Sequence, residues 1–528
     1  MYILTAAEMG DADRRSTEEF GIDPGDLMKQ AGAAVASFCL RQYPSAMRIT
    51  VLCGKGNNGG DGFVAAHLLA DAGRNISVML LGRVAELKGE AAIASAQLQG
   101  RASPIEIMEI DDEAELTGIF DRAELVLDAV VGTGFRPPLR GLAATLRNVL
   151  LRSHVPVVAV DLPSGWDADS NEQKIEGTFP ADAVVTFTAP KRAHVFGHLT
   201  ERTFGPVVVA DIGSPSDAVQ SATRLTWAGA SKTIAEKPRD VNSNKGMYGH
   251  VLLIGGSYGK AGAPSMSSLA GLRAGAGLVT AAIPESILNT VALLTPELMV
   301  VPLAESNGTV ALSNLDGGTL DRLLKGITVI AVGPGLSTEG EASEFARRLV
   351  ARTTLPIVID ADALNAFDGR ADLLNGTGRT VVLTPHPGEM ARLLGITVKE
   401  VQADRINLAR RFATEHRLTL VLKGWRTLIA HPDGRVAVNT SGNPSMAKGG
   451  SGDILTGIVA AMLGQFPHDV AGAVEAAVYL HGLAGDFAAL AMEEHTVLAT
   501  DTVAHLAAAF HYRVKDADGL TWLAGVHS

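Results

Sequence analysis

Short apolar runs alternate with longer amphipathic segments along most of the chain. Leu27, Met28, Ala31, Val35 and Phe38 recur at helical spacing, so residues 1–45 are predicted to be helical. RITVLCGKGNNGGDGFVAAHLLADAG then reads as a strand (Ile49, Val51, Leu52), a glycine-rich loop (Gly54 to Gly62) and a helix (Phe63 to Ala72). Further strands are predicted at 77–81, in RAELVLDAVVGTGF ending at Asp128, in VPVVAVDLPSGW ending at Asp161, in ADAVVTFTAP (181–190) and in GPVVVADIG (205–213), which closes the series. Strands alternating with helical segments predict a mostly parallel sheet with helices on both faces, of Rossmann-like α/β type.

Residues 214–235 lose this rhythm and gain Ser, Ala and Thr, which marks a boundary. After it the pattern resumes. HVLLIGG is a strand and loop, followed by a helix of small residues able to pack closely on a sheet. TVIAVG, PIVIDADAL (356–364), TVVLTPHPGE (380–389) and LTLVLKG (418–424) read as strands. RTLIAHPDGRVAVN reads as a hairpin turning at Pro432, Asp433 and Gly434. Helices follow through Asp486 and again near 500–511. The expected organisation is a first α/β domain over 1–215, a linker over 216–235, a second α/β domain over 236–512 and a C-terminal tail over 513–528.

Composition narrows the class. A chain of 528 residues is too long for one ordinary core. An apolar content of 47% with 19% charged residues describes packed globular domains. The net charge of −12 with no long basic run argues against nucleic acid as a partner. Two cysteines, Cys39 and Cys53, exclude a disulfide framework and a four-cysteine zinc site. The N-terminal stretch has no signal-peptide core, and no apolar run reaches spanning length, so a cytoplasmic protein without a membrane partner is expected.

The chemistry concentrates in GNPSMAKGGSGDILTG (442–457). Gly449, Gly450 and Gly452 let successive N–H groups point into one concavity, and the apolar helix that follows adds its positive dipole end. Asp453 stands where a phosphoryl group would sit, as a base for a hydroxyl that attacks it. The plainer alternative is a loop capped by Asp at a helix N-terminus. His386 and Glu389 in TPHPGE and Lys423 before Gly424 follow strands on the same sheet edge, where Lys423 suits a phosphate.

In the first domain three polar loops follow strands: Asn57–Asp61, Asp128–Gly134 and Asp161–Ser164. The loop is neither GxGxxG nor GK[ST], so it is no dinucleotide fingerprint or P-loop. In a parallel sheet the three loops share one edge. Oxygen donors without His or Cys suit a hard cation. Each Asp alone would read as a cap or turn residue.

These segments together resemble a known family. The second half is similar to the ribokinase-like NAD(P)H-hydrate dehydratases through NKGMYGHVLLIGGS, TPHPGEMARLLG, LKG and GNPSMAKGGSGDILTG. The first half resembles NAD(P)H-hydrate epimerases through GNNGGDGFVAA, DAVVGTGF, VDLPSGWDAD and TFTAPK. Both in this order resemble the bifunctional NAD(P)H-hydrate repair enzymes, over nearly the whole chain. The resemblance implies repair of hydrated NADH and NADPH, with ADP or ATP as phosphoryl donor, Mg2+ and K+. It implies Asp453 as the base, and Ala263, Gly335 and His386 as hydrate contacts. Lys423, Gly424, Trp425, Arg426, Thr427, Gly449, Gly450 and Gly452 would bind the nucleotide. In the first domain Asn57, Asn58, Gly59, Gly60, Asp61, Gly132, Thr133, Gly134, Phe135, Arg136, Pro137, Pro138 and Asp161 would line the hydrate site. Asn58, Asp128 and Ser164 would hold potassium, and Asp161 is the candidate for epimerase acid–base work. A homo-oligomer is expected. Two positions depart from the family pattern: Ser337 in GPGLS and Trp166 in PSGW, the latter able to reshape the rim of the first pocket. A small-molecule kinase with a ligand-binding first domain is the alternative.

Overall fold

The computed structural model describes residues 1–527. The chain divides into two compact units, one of Met1–Leu225 with the segment from Arg513 onwards, the other of Thr226–Tyr512.

In the first unit α1 (Ala6–Glu18) and α2 (Pro24–Gln42) precede β1 (Arg48–Cys53). Thr5 and Glu8 form a capping box at the start of α1, and Asp23 with Pro24 starts α2. Then come α3 (Asn57–Asp71), β2 (Asn75–Leu81), α4 (Gly89–Gln99), β3 (Ile107–Ile110), β4 (Leu125–Ala129), α5 (Leu142–Ser153), β5 (Val157–Val160), β6 (Ala183–Phe187) and β7 (Val207–Ala210). The sheet runs β3-β2-β1-β4-β5-β6-β7, all neighbours parallel, with the C-terminal strand Thr521–Ala524 added antiparallel outside β7. Every residue of β4 to β7 is buried, as a sheet covered on both faces requires. Phe38, Phe63 and Leu69 cover one face against Val51 and Leu127; Leu146 and Leu150 cover the other against Leu52 and Val126.

Three sequence expectations change here. Residues 513–527 pack into the first unit: Trp522 is buried and its indole N–H donates to Asp516 Oδ2 at 2.8 Å, an oxygen also paired with Arg41 at 2.8 Å. The series of strands therefore does not close at 205–213. The second half of the expected linker is built into the second unit, because Trp227 is buried, bonds Thr440 Oγ1 at 2.7 Å and meets the Tyr479 ring edge-on at 5.6 Å.

The second sheet holds β8 (Leu225–Trp227), β9 (His250–Ile254), β10 (Leu278–Pro284), β11 (Met299–Leu303), β12 (Val329–Val332), β13 (Ile357–Ile359), β14 (Val381–Leu383), β15 (Thr419–Leu422), β16 (Leu428–Ala430) and β17 (Val436–Val438). Its order is β11-β10-β9-β12-β13-β14-β15-β16-β17-β8, parallel from β11 to β15 and antiparallel through the β15-β16-β17 hairpins. PIVIDADAL is strand only to Ile359; residues 361–365 are helical. The small-residue helix α6 (Gly262–Arg273) packs on α8 (Ser451–Gln465), while α7 (Pro387–Leu394) follows β14. A Cβ at Gly457 would lie 2.0 Å from the Ser267 carbonyl, so only glycine permits this approach. The 22-residue α9 (Val470–Ala491) packs beside α8.

In both sheets the strand order reverses once, at β1/β4 and at β9/β12. Open α/β sheets bind ligands outside the carboxyl ends of the strands at such points.

Candidate active sites

In the first unit the loops after β1, β4 and β5 meet at the reversal, beside a cavity of about 940 Å3. Asn57, Asn58 and Asp61 reach it from the first turn of α3, not from a loop. The helix begins this early because glycines allow it. A Cβ at Gly59 would lie 1.9 Å from the Gly54 carbonyl, and one at Gly60 2.5 Å from Met28. Gly59 and Gly60 therefore seat the helix and do not line the cavity. Gly132 to Arg136 and Asp161 line it as expected; Pro137 and Pro138 face neighbouring surface depressions instead.

Asp161 follows β5 in a left-handed backbone conformation, φ 66°, a strain that surrounding structure must hold. Its Oδ2 accepts the Thr133 N–H at 2.7 Å and the Thr133 hydroxyl at 2.6 Å. Its Oδ1 accepts the Thr186 hydroxyl at 2.8 Å and the Lys191 ammonium at 2.9 Å. Burial alone would raise this carboxyl, but Lys191 and the Thr133 hydroxyl override it and hold it well below the carboxylate range. His194 Nδ1 accepts the Lys191 N–H at 2.9 Å, so Nε2 carries the proton and donates to the Asp161 carbonyl at 2.6 Å. Burial lowers His194 to about 4, so it is neutral and acts as a backbone clamp.

Below the cavity Asp128 is fully buried. Its Oδ1 accepts the Ser164 hydroxyl at 2.6 Å and its Oδ2 the Ser164 N–H at 2.7 Å. Burial raises this carboxyl to about 6. Both polar atoms of the Asn58 side chain are buried without a hydrogen-bond partner among the described residues. A Cβ at Gly132 would lie 2.8 Å from Asp161 Oδ2 and 3.0 Å from Asn58 Oδ1, which places these two groups side by side. Trp166 is buried, its ring packed at Gly197, and it does not line the cavity.

In the second unit α8 starts at a left-handed Gly450, φ 94°, with no side-chain cap, which leaves its first N–H groups for an anion. Asp453 sits in that first turn. Burial, then the charge of Asp360, raises it to about 6 against the pull of Lys423. Lys423 follows β15 and lies 3.0 Å from Asp360 Oδ1 and 3.7 Å from Glu389 Oε2. Asp360, at the end of β13, takes the Thr456 hydroxyl on Oδ2 at 2.7 Å. A Cβ at Gly452 would stand 3.3 Å from Lys423 Nζ and 3.9 Å from Asp360 Oδ2, so the glycine turn and this charged pair adjoin.

His386 caps α7: its Nδ1 accepts the Gly388 and Glu389 N–H groups at 3.0 and 3.2 Å, which leaves Nε2–H facing Glu389 Oε1 at 3.5 Å. Ala263 and Gly335 are neighbours; a Cβ on Gly335 would lie 3.1 Å from that of Ala263. Ser337 adopts φ 76°, where glycine is usual, and its N–H donates to Asp362 at 2.8 Å. Arg426 also has a positive φ, 52°, and its buried guanidinium packs over Trp425 at 4.3 Å while donating to the Thr440 carbonyl. It therefore shapes the Lys423–Thr427 turn from within. Thr427 closes that turn through a bond to the Gly424 carbonyl at 3.1 Å.

Comparison with known proteins decides the family. Residues 24–193 match the family described as YjeF-related protein N-terminus, and residues 251–508 match NAD(P)H-hydrate dehydratase. The bifunctional NAD(P)H-hydrate repair enzyme of Moorella thermoacetica is 41% identical over 510 residues, covering 95% of each chain.

The chain belongs to the family of bifunctional NAD(P)H-hydrate repair enzymes.

The Escherichia coli member of this family is 34% identical over 515 residues, covering 97% of this chain and 94% of that one. The Bacillus subtilis ADP/ATP-dependent NAD(P)H-hydrate dehydratase, crystallized with ATP and Mg2+, is 30% identical, with a TM-score of 0.45 over 55% of this chain and 99% of its own. Family motifs account for the asparagine, glycine and aspartate positions above. They do not include Asp360, His194 or Asp13, which sequence reasoning missed, and Thr456 and Thr186 stood inside quoted motifs with no role attached. Asp360 was findable, since it ends a strand on the expected edge. Lys191 stood inside the quoted TFTAPK with no role attached. Asp13 lines the first cavity from α1 and carries no local signal. Among the described residues no helix is long and apolar enough to cross a membrane.

Proposed function

We propose that the first unit interconverts the two epimers of hydrated NADH or NADPH, and that the second dehydrates one of them with ADP or ATP. The observation that carries the second assignment is Asp453 in the uncapped first turn of α8, beside Lys423 and Asp360. Uncapped N–H groups and Lys423 hold phosphate oxygens. Asp453, raised toward neutral pH, takes the proton of the ring hydroxyl as that oxygen attacks the terminal phosphorus. The phosphorus–oxygen bond to the nucleotide breaks and AMP or ADP leaves. Phosphate then departs with the ring oxygen, and loss of a neighbouring proton restores the double bond. Lys423 is itself held by Asp360 and Glu389, so it is oriented before the nucleotide arrives.

Magnesium fits this site as an ion held chiefly by phosphate oxygens and water, the usual arrangement for Mg2+. Among the described residues no cluster of three carboxylate, His or Cys side chains forms a cage, and both Asp360 oxygens are engaged. When bound, the ion would offset charge on the transferring phosphoryl group.

In the first unit the unpartnered Asn58 Oδ1 and the buried Asp128 carboxylate fit a potassium ion, with Ser164 orienting Asp128. A cation there would neutralise Asp128 and anchor the turn that carries Gly132 and Thr133. The test of both assignments is recovery of NADH absorbance from a mixed-epimer hydrate, with Mg2+ and K+, comparing ADP with ATP. Full recovery supports both activities. Recovery of one epimer's share removes the epimerase reading, and no recovery with either nucleotide sinks the dehydratase reading.

A further inference from the structure

The proton chemistry of the first cavity needs a group that neither Asp161 nor Lys191 supplies. Asp161 already accepts four hydrogen bonds, and Lys191 is spent on Asp161, Thr186 and the Phe187 carbonyl. A carboxylate so saturated is a weak base, and a lysine so paired is a poor acid. Two other carboxyl groups face the same cavity: Asp61 from α3 and Asp13 from α1. Neither accepts a hydrogen bond from any described residue, although each lies near enough to Asp161 and Lys191 to feel their charge.

We propose that Asp61, assisted by Asp13, is the proton donor and acceptor for epimerisation, while Asp161 stays ionised against Lys191 as fixed charge. The proposal rests on the epimerase reading of this cavity. Asp13 lies before residues 24–193 that match the N-terminal family, so that match assigns it nothing.

The charge inventory of the cavity supports it. Three carboxyl groups, Asp13, Asp61 and Asp161, share one buried ammonium, Lys191. The other cations on the wall are committed elsewhere: Arg14 to Asp11 and Glu18, Lys55 to Glu86, and Arg136 toward Asp169. Glu90 adds a fourth carboxylate at the rim. The charges of Asp161 and Asp13 both disfavour ionisation of Asp61. Burial, then Asp161 and Asp13, pushes Asp61 up; Asp13 is exposed as a residue, and partial burial of its carboxyl with Asp161, against Lys191, raises it to about 6.

Hydration of an enamine places the hydroxyl on the carbon bonded to nitrogen, and inversion there requires a bond at that carbon to break and re-form. Asp61 gives its proton to the hydroxyl as the C–O bond breaks. Water leaves with the bonding pair, and the ring nitrogen's lone pair forms the C=N bond. Water adds to the opposite face, the C=N pair returns to nitrogen, and the proton shed by the new C–O bond goes back to the Asp61–Asp13 pair. Atoms and electrons balance without a redox partner.

The test uses the full chain, with dehydration of the preferred epimer as an internal control of folding. Asp61→Asn is expected to lower the epimerisation rate by ~10²-fold or more with KM changed little. Asp13→Asn is expected to move the alkaline fall of the epimerisation rate to lower pH, because Asp61 loses its charged neighbour. Epimerised product formed in H2¹⁸O should carry one ¹⁸O at the inverted carbon. Epimerisation in Asp61→Asn within tenfold of wild type, an unshifted profile in Asp13→Asn, or product without ¹⁸O would each overturn the proposal. Absence of epimerisation in the wild-type chain would instead overturn the epimerase reading itself.

Discussion

Lys191 Nζ lies 2.9 Å from Asp161 Oδ1, with both residues buried in the first unit. Removing one partner of a buried pair leaves an uncompensated charge and typically costs ~3–5 kcal/mol. Lys191→Met is therefore expected to destabilise the first unit by about that much and to abolish epimerisation. The double variant Asp161→Asn with Lys191→Met should regain part of the stability and none of the activity. Denaturant unfolding followed in the first unit checks this. A single Lys191→Met variant as stable as wild type would mean that the pair contributes nothing net.

Gly132 is the narrow point between Asn58 and Asp161. A Cβ there would press to 2.8 Å from Asp161 Oδ2 and 3.0 Å from Asn58 Oδ1. Asp161 is held by four hydrogen bonds, so it does not give way easily. Gly132→Ala is expected to cost epimerisation ~10-fold or more, since a misplacement of about 1 Å in a site can cost about 10²-fold. Dehydration should be unchanged, and the ratio of the two activities in one sample is the measurement.

The same two positions show how far sequence reaches. Apolar runs and their spacing announced most strands, and glycines with polar residues after β1, β4 and β5 pointed to the edge that carries the first cavity. Sequence could not show that Asn57–Asp61 lie on a helical turn, because that depends on Gly59 fitting against the Gly54 carbonyl. Nor could it place Asp13, which reaches the cavity from a helix distant in the chain. Trp522 and Trp227 were hidden for a related reason. Trp227 buries one large ring among small residues, and Trp522 lies in a strand of only four residues, too short for a periodic signal. In the second unit Asp453 was legible from its glycines, whereas Asp360 and Thr456 gained meaning only once β13 and α8 were side by side.

Thr456 donates its hydroxyl to Asp360 Oδ2 at 2.7 Å in a fully buried position. Thr456→Val keeps the shape and removes the donor, leaving a buried carboxylate oxygen unsatisfied at ~1–3 kcal/mol. Asp360 would then hold Lys423 less firmly. The expected result is a several-fold higher KM for the nucleotide with a smaller change in kcat. An unchanged KM would separate Thr456 from the orientation of Lys423.

Asp453 is expected to set the acid limb of dehydration. Burial and Asp360 raise its carboxyl from 3.8 to about 6, so a base role requires pH above that value, and the rate should fall as pH drops through it. The sign for stability is opposite. The folded state binds the proton more tightly than the unfolded chain between 3.8 and about 6, so ionising Asp453 destabilises the fold as pH rises through this window. Asp453→Asn should consequently lose ~10²–10⁴-fold in dehydration while unfolding no earlier than wild type at pH 7, with a gain on the order of 1 kcal/mol after screening. Epimerisation in the same chain should persist. Thermal unfolding beside the pH–rate profile makes the test. A variant that loses activity and stability together would place Asp453 among the residues that merely cap α8, and an acid limb unmoved from the usual carboxylate range would remove it as the base.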